Sequence, residues 1–251
     1  MPLSTVSVTC LYLATGSYMW SFVSFTLRRE RMTEICFFGG FLFHTISQIS
    51  RGCFIGIFTP NAIFEGVFFL PWCLAFLTIC LRFIKNKTHL IYSAVIPILL
   101  FLLVALLYPK GIVPPSPQVQ TVFSPLFFVF EVLAHACFCL AAWFSICYLY
   151  HRKDAAFFDS FVIWGFILYS IAQVVGAIWC YLGWASLFNW SERHLQSASI
   201  WCFYAAYIHL RFLSSFDMKK KAWFSLAAFA LVLFFSYLSH FREMNMPRLG
   251  G

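Results

Sequence analysis

Four histidines, His44, His135, His209 and His240, lie inside long apolar runs of the chain. Neutral imidazole is a common ligand for transition metals, and a titratable group among apolar residues is costly unless it serves a purpose there. His89, His151 and His194 fall at the ends of such runs or between them, where a histidine is ordinarily hydrated. Glu131 precedes His135 by one helical turn, a spacing at which a carboxylate orients an imidazole. Arg51 and Glu65 fall near facing ends of successive runs, where they can pair.

A second feature is the segment Trp184–Gln196, WASLFNWSERHLQ, which carries two Trp and a Phe and few turn-forming residues. Such an aromatic surface suits a flat apolar ligand. Tryptophan also anchors helices at a bilayer surface, so composition alone leaves both readings open.

The elements that must position these residues follow from composition. Of 251 residues 62% are hydrophobic, 21% aromatic and only 10% charged. An ordinary soluble domain is about 45–50% apolar and about 25% charged. Too little charge is present to clothe a soluble surface, so most of the chain is solvated by lipid. A soluble enzyme, a disordered chain and a nucleic-acid-binding domain are excluded. The net charge of +8 does not reverse this, because the 17 basic residues sit in short clusters between apolar runs. That distribution orients membrane spans.

Runs of about twenty apolar residues predict eight helices. They lie near 5–27, 35–57, 62–84, 89–108, 124–150, 158–183, 197–216 and 222–241. The expected fold is therefore all-α, a polytopic membrane bundle of about eight transmembrane helices forming a single integral membrane domain over 1–251. Alternate connectors carry Arg28, Arg29 and Arg31; Arg82, Lys85 and Lys87; Arg152 and Lys153; and Arg211 with Lys219, Lys220 and Lys221. The opposite side has Arg51, Lys110, Arg193, Arg242 and Arg248. Basic residues mark the inner side, which puts both termini outside. The Pro-rich connector between Tyr108 and Thr121 reads as an external loop. Met1–Thr9 has no positive stretch before its first apolar run, so no cleavable signal peptide is expected.

The helical rise sorts the histidines by depth. His44 and His209 fall roughly 13 Å and 10 Å from the inner face, and His135 roughly 22 Å from it. His240 ends the last run, on the outer side. An inner pair and an outer pair result, the outer one level with Trp184–Gln196. Two imidazoles at one depth can hold one octahedral iron, with an aromatic surface against the porphyrin of a haem. The ten cysteines include no CxxC and no CxxCH, so neither a disulfide framework, a zinc site nor covalent haem attachment to this chain is expected.

Trp184–Arg211 resembles the tryptophan-rich WWD signature of haem-handling cytochrome c biogenesis proteins of the CcsA/ResC type. Trp184, Ser186, Trp190, Trp201, Tyr204, Ala205, Ala206, Tyr207, His209 and Arg211 carry the match, and Phe188 stands where the family has Trp. Phe58–Trp72 agrees through Pro60, Asn61, Glu65, Phe69, Leu70 and Trp72, with Arg51 just upstream; Phe234–His240 and His135 also agree. The chain departs from the signature at Ser191, where the family has Asp, at Arg193-His194 in place of Lys-Glu, and at Gln196 in place of a third Trp.

The resemblance implies that His135 and His240 are external haem-iron ligands flanking an external segment, 184–201. Trp184, Phe188, Trp190 and Trp201 would then form the haem platform, with Arg193 near the propionates and Arg51, Glu65 and Glu131 in support. It implies that His209 is an intramembrane ligand; His44 stands on its depth alone, a partner of the CcsB/ResB type being the other source of that ligand. The cofactor implied is non-covalent haem b. The implied partners are that membrane protein, an apocytochrome c with its CxxCH, and the bilayer, with no nucleic acid. His194 is an additional candidate ligand. The function expected is haem presentation at the outer face for covalent attachment to apocytochrome c. A HemX-like regulator of tetrapyrrole synthesis and a CcmC-type haem exporter subunit are the alternatives.

Overall fold

Helix dominates the computed structural model, which describes residues 3–56, 63–84, 88–108, 121–150, 156–188 and 190–238. Among them no strand occurs. They form two compact units, one within 1–117 and one within 118–244.

The first unit begins with a helical hairpin of α1 (Leu3–Thr26) and α2 (Glu30–Ile55). The turn is tight: Arg28 takes a left-handed φ of 57°, and the Arg29 N–H closes on the Ser24 carbonyl at 2.9 Å. The face of α1 that is buried is Ser7, Leu11, Ala14, Thr15, Tyr18, Ser21 and Ser24, mostly small or hydroxylated. Small residues let helix backbones approach in lipid, where apolar burial drives little association, and hydroxyls bond across the gap. The Ser7 hydroxyl donates to the Ser47 carbonyl at 3.1 Å, and the Ser47 hydroxyl donates back to the Ser7 carbonyl at 2.7 Å. At the other end the Ser21 hydroxyl donates to the Thr33 carbonyl at 3.0 Å. Gly40 completes the fit, because a Cβ there would lie 2.9 Å from the Tyr18 ring.

Helix α3 (Ile63–Ile84) docks on α2 through the Trp72 indole, which donates to the Thr45 hydroxyl at 2.9 Å. The expected fourth span is two helices, α4 (Thr88–Tyr92) and α5 (Val95–Leu107). Pro97 accounts for the break: it has no N–H to offer the Ser93 carbonyl four residues back. The Ser93 carbonyl accepts from Ile96 instead, at 3.1 Å.

The second unit packs α6 (Phe123–Leu149) along α7 (Phe158–Trp184), with α8 (Glu192–Leu210) and α9 (Met218–Val232) completing a core around Phe138, Tyr169, Tyr204 and Tyr207. Asp217 caps α9, its carboxylate accepting from the Lys220 N–H at 2.9 Å. Beyond Val232 the helix changes to π geometry over Leu233–Leu238.

The helices follow the expected order. Helix α8 starts at Glu192 and stops at Leu210, earlier than the expected 197–216 at both ends. Residues 192–201 of the aromatic segment are therefore helical. Among the described residues five stretches are long and apolar enough to cross a bilayer: Gly66–Ile84, Leu90–Leu107, Phe123–Leu149, Phe158–Trp184 and Met218–Leu238.

Candidate functional site

Helix α6 carries Glu131 and His135 one turn apart, and His135 is buried, with 3% of its surface exposed. Its ring neighbours two tyrosines, Tyr169 of α7 and Tyr237 of the π turn, each with ring centroids 5.8 Å away. Nδ1 is 3.3 Å from the Tyr237 hydroxyl. Nε2 is buried and has no hydrogen-bond partner among the described residues. The Tyr169 hydroxyl donates to the Ser197 carbonyl at 3.4 Å, tying this ring to α8. The charge that faces Glu131 is Arg193, in the first turn of α8.

From the same end of the unit an aromatic run leads outward. Phe127 and Phe128 of α6 pack on Trp179 of α7, with centroids 6.0 and 6.1 Å apart, and Trp179 meets Trp184 edge-on at 5.9 Å. Past the end of α7, Phe188 makes edge contacts of 5.4 Å with both Trp190 and His194. Trp184, Phe188 and Trp190 are all exposed, Trp190 at 81%. Trp201 is held elsewhere: its indole donates to the Ser170 hydroxyl at 3.0 Å and its ring packs on Phe166, both on α7. Of the four aromatic residues expected to form a platform, three thus lie at the end of the unit and the fourth, Trp201, packs on α7.

His194, the extra candidate, is bonded at both nitrogens. Nε2 lies 3.3 Å from Cys180 Sγ and Nδ1 lies 2.8 Å from the Ser191 hydroxyl. Partial burial lowers its pKa from the usual histidine value.

His44 and His209 belong to different units. His44 is fully buried; its Nε2–H donates to the Phe68 carbonyl at 3.2 Å, a carbonyl that also accepts from Gln48 at 3.1 Å. Its Nδ1 has no partner among the described residues. His209 lies in the last turn of α8 on an exposed face. Beside it the Asp159 carboxylate accepts from the Tyr207 hydroxyl and, at 3.1 Å, from Arg211. Arg51 is buried with its guanidinium 4.9 Å over the Phe68 ring. His240 and the Glu65 side chain lie outside the described residues.

Tyr169 and Tyr237 were not singled out by the sequence. Tyr237 stands three residues before a marked histidine, but only the π turn gives it a direction.

A bundle with five apolar helices long enough to span a bilayer is an integral, multi-pass membrane protein. The sequence model of the family described as cytochrome C assembly protein matches residues 61–244, and the chain belongs to that family. Relatives include the cytochrome c biogenesis protein CcsA of Chlamydomonas reinhardtii, 24% identical over 73% of this chain and 58% of that protein. CcsA of Guillardia theta is 24% identical over 70% of this chain and 71% of that one. CcsA of Prochlorococcus marinus (strain MIT 9515) is 31% identical over 72 residues, which are 29% of this chain and 23% of that protein. The chain thus spans little more than half the length of the Chlamydomonas relative. In fold it is similar to cytochrome c haem lyase CcmF, with a TM-score of 0.70 at 15% identity, over 95% of this chain and 47% of that one.

Proposed function

We propose that the chain is a haem-handling membrane protein of system II cytochrome c biogenesis. It holds non-covalent haem b and presents it at the outer face of the membrane to an apocytochrome c. The observation that supports this most directly is the buried Nε2 of His135, which has no partner among the described residues of a chain in the cytochrome c assembly family. A neutral imidazole nitrogen without a protein partner, set among aromatic rings, suits an iron at the centre of a flat apolar ligand. Haem, when bound, supplies the vinyl groups to which the CxxCH thiols add.

The residues of the chain bind and orient. His135 and His240 would hold the iron. Trp184, Phe188, Trp190 and Trp201 would supply the aromatic surface for the porphyrin. Arg193, which faces Glu131, would pair with the propionates. In the first unit Arg51 and Glu65 support the fold of the outer end. His209 is an intramembrane ligand; its exposure on α8 supports an iron shared with a CcsB/ResB-type partner. His44 is a second intramembrane candidate through Nδ1 alone, because Nε2 is occupied by the Phe68 carbonyl. The eight expected spans, α4 and α5 together making one, cross the membrane with both termini outside. Relatives named CcsA do not favour the HemX-like or CcmC-type alternatives.

The test is the haem content and spectrum of the chain purified with its partner. The expected result is a b-type spectrum. His135→Gly and His240→Gly each abolish cytochrome c maturation, and added imidazole partly restores it. Trp190→Ala lowers haem occupancy without a comparable loss of protein. Glycine variants that accumulate and mature cytochromes normally overturn the assignment of the outer site.

A further inference from the structure

Two nitrogens of one buried ring have opposite surroundings in His135: Nδ1 is 3.3 Å from the Tyr237 hydroxyl, and Nε2 has no partner among the described residues. A neutral imidazole carries its proton on one nitrogen only. If Nε2 held it, a buried N–H donor would be left unpaired, which native structures avoid. If Nδ1 holds it, the Tyr237 oxygen accepts it, and what remains at Nε2 is a lone pair. An unpaired acceptor is the more readily tolerated of the two, and it is the form a metal requires.

The backbone shows why Tyr237 reaches this ring. Val232 is fully buried and belongs to the core that contains Ala134 and Phe138, the neighbours of His135 on α6. In α geometry five residues advance about 500°, which would turn residue 237 about 140° away from Val232. Over Leu233–Leu238 the helix is π, and its i→i+5 bonding makes five residues little more than one turn. Tyr237 therefore returns to the side of Val232 and packs against the same core. Tyr169 also packs near the imidazole, with its ring tilted 31° to it.

We propose that Tyr237 is a positioning residue: delivered by the π turn, its hydroxyl oxygen holds the Nδ1–H of His135 and so fixes the ring and the tautomer that leaves Nε2 as the ligating nitrogen. The proposal rests on the reading of His135 as an iron ligand and names the residue that prepares it. A hydrogen bond to the far nitrogen orients such a ring and raises its basicity toward the metal.

The experiment uses the full chain with haem bound. In H135G, free imidazole enters the vacated place and is followed by the shift of the haem absorption. In H135G/Y237F the half-saturating imidazole concentration is expected to rise roughly three- to ten-fold, the effect of one ordinary hydrogen bond. An unchanged concentration overturns the role of Tyr237 and leaves His135 as a ligand. No spectral response of H135G to imidazole overturns both. A second measurement needs no tyrosine variant. In the haem-free chain, 15N-histidine NMR, assigned by the signals missing from H135G, is expected to show His135 protonated at Nδ1; protonation at Nε2 overturns the proposal.

Discussion

Gly165 of α7 lies so close to Phe138 of α6 that a Cβ at residue 165 would stand 2.5 Å from Cε1 of the ring. The ring is itself stacked on Tyr204 of α8, with 3.6 Å between centroids, and has no room to retreat. Gly165→Ala is therefore expected to destabilise the second unit by about 1–3 kcal/mol, the usual cost of overpacking. Thermal unfolding in detergent measures it. Gly16, which has nothing within 4 Å of a built Cβ, is the control, and its Ala variant should melt no lower than wild type. Equal melting of Gly165→Ala and wild type would show that α6 and α7 are not this close.

Asp159 holds the other end of the unit. It accepts from Tyr207 of α8 and from Arg211 just past that helix, and sits in the first turn of α7, where a negative charge also favours the helix. Asp159→Asn keeps an acceptor but removes the charge. A loss of about 1–3 kcal/mol is expected, the ion pair being partly exposed. The same unfolding measurement checks it, and Arg211→Gln in the Asp159→Asn background should add little.

His194 makes the aromatic segment sensitive to acid. Burial holds its folded-state pKa below that of the unfolded chain, so the folded state binds fewer protons. Its contribution is present above the unfolded value near pH 6.5 and is lost as pH falls below it. Hydrogen exchange of residues 186–194, corrected for intrinsic rates, should rise as pH drops from 7 to 5. His194→Gln should remove that dependence; a response that persists in the variant assigns it to another group.

Sidedness is testable without the fold. A cysteine placed at Val119 or Asn189, in a chain otherwise lacking accessible cysteines, should label from outside, and one at Asp154 should not. Labelling of Asp154→Cys from outside contradicts the eight-span arrangement.

The order of the helices was legible because each is a long apolar run bounded by charge or proline. The break before Val95 was not, although Pro97 announces it, because a run of Val, Ile and Leu reads as continuous at the resolution of hydropathy. The early start of α8 is not legible because Glu192, Arg193 and His194 dilute apolarity, although Glu192 suits a first turn. His135 was legible as a titratable residue out of place. Tyr237 was not, since its direction depends on one wide turn that composition does not encode. Trp201 was grouped with Trp184 and Trp190 by residue type; Ser170, which holds it on α7, is separated from it in sequence and carries no mark of its own.

The hydroxyl-rich face of α1 bears on how the protein is made. This helix is not among the five stretches apolar enough to cross a bilayer by composition, and its polar residues turn toward α2, bonded through Ser47 and Thr33. An insertion machinery that meets α1 before α2 exists has no partner to offer those hydroxyls. A chain ending after Arg31 is expected to integrate poorly, and one ending after Gly56 to integrate well, as measured by glycosylation of an N-terminal tag in microsomes. Integration equal in both would show that α1 inserts alone. Integration of the longer chain alone would mean that α1 and α2 enter lipid together, as a hairpin already closed through Ser47 and Thr33.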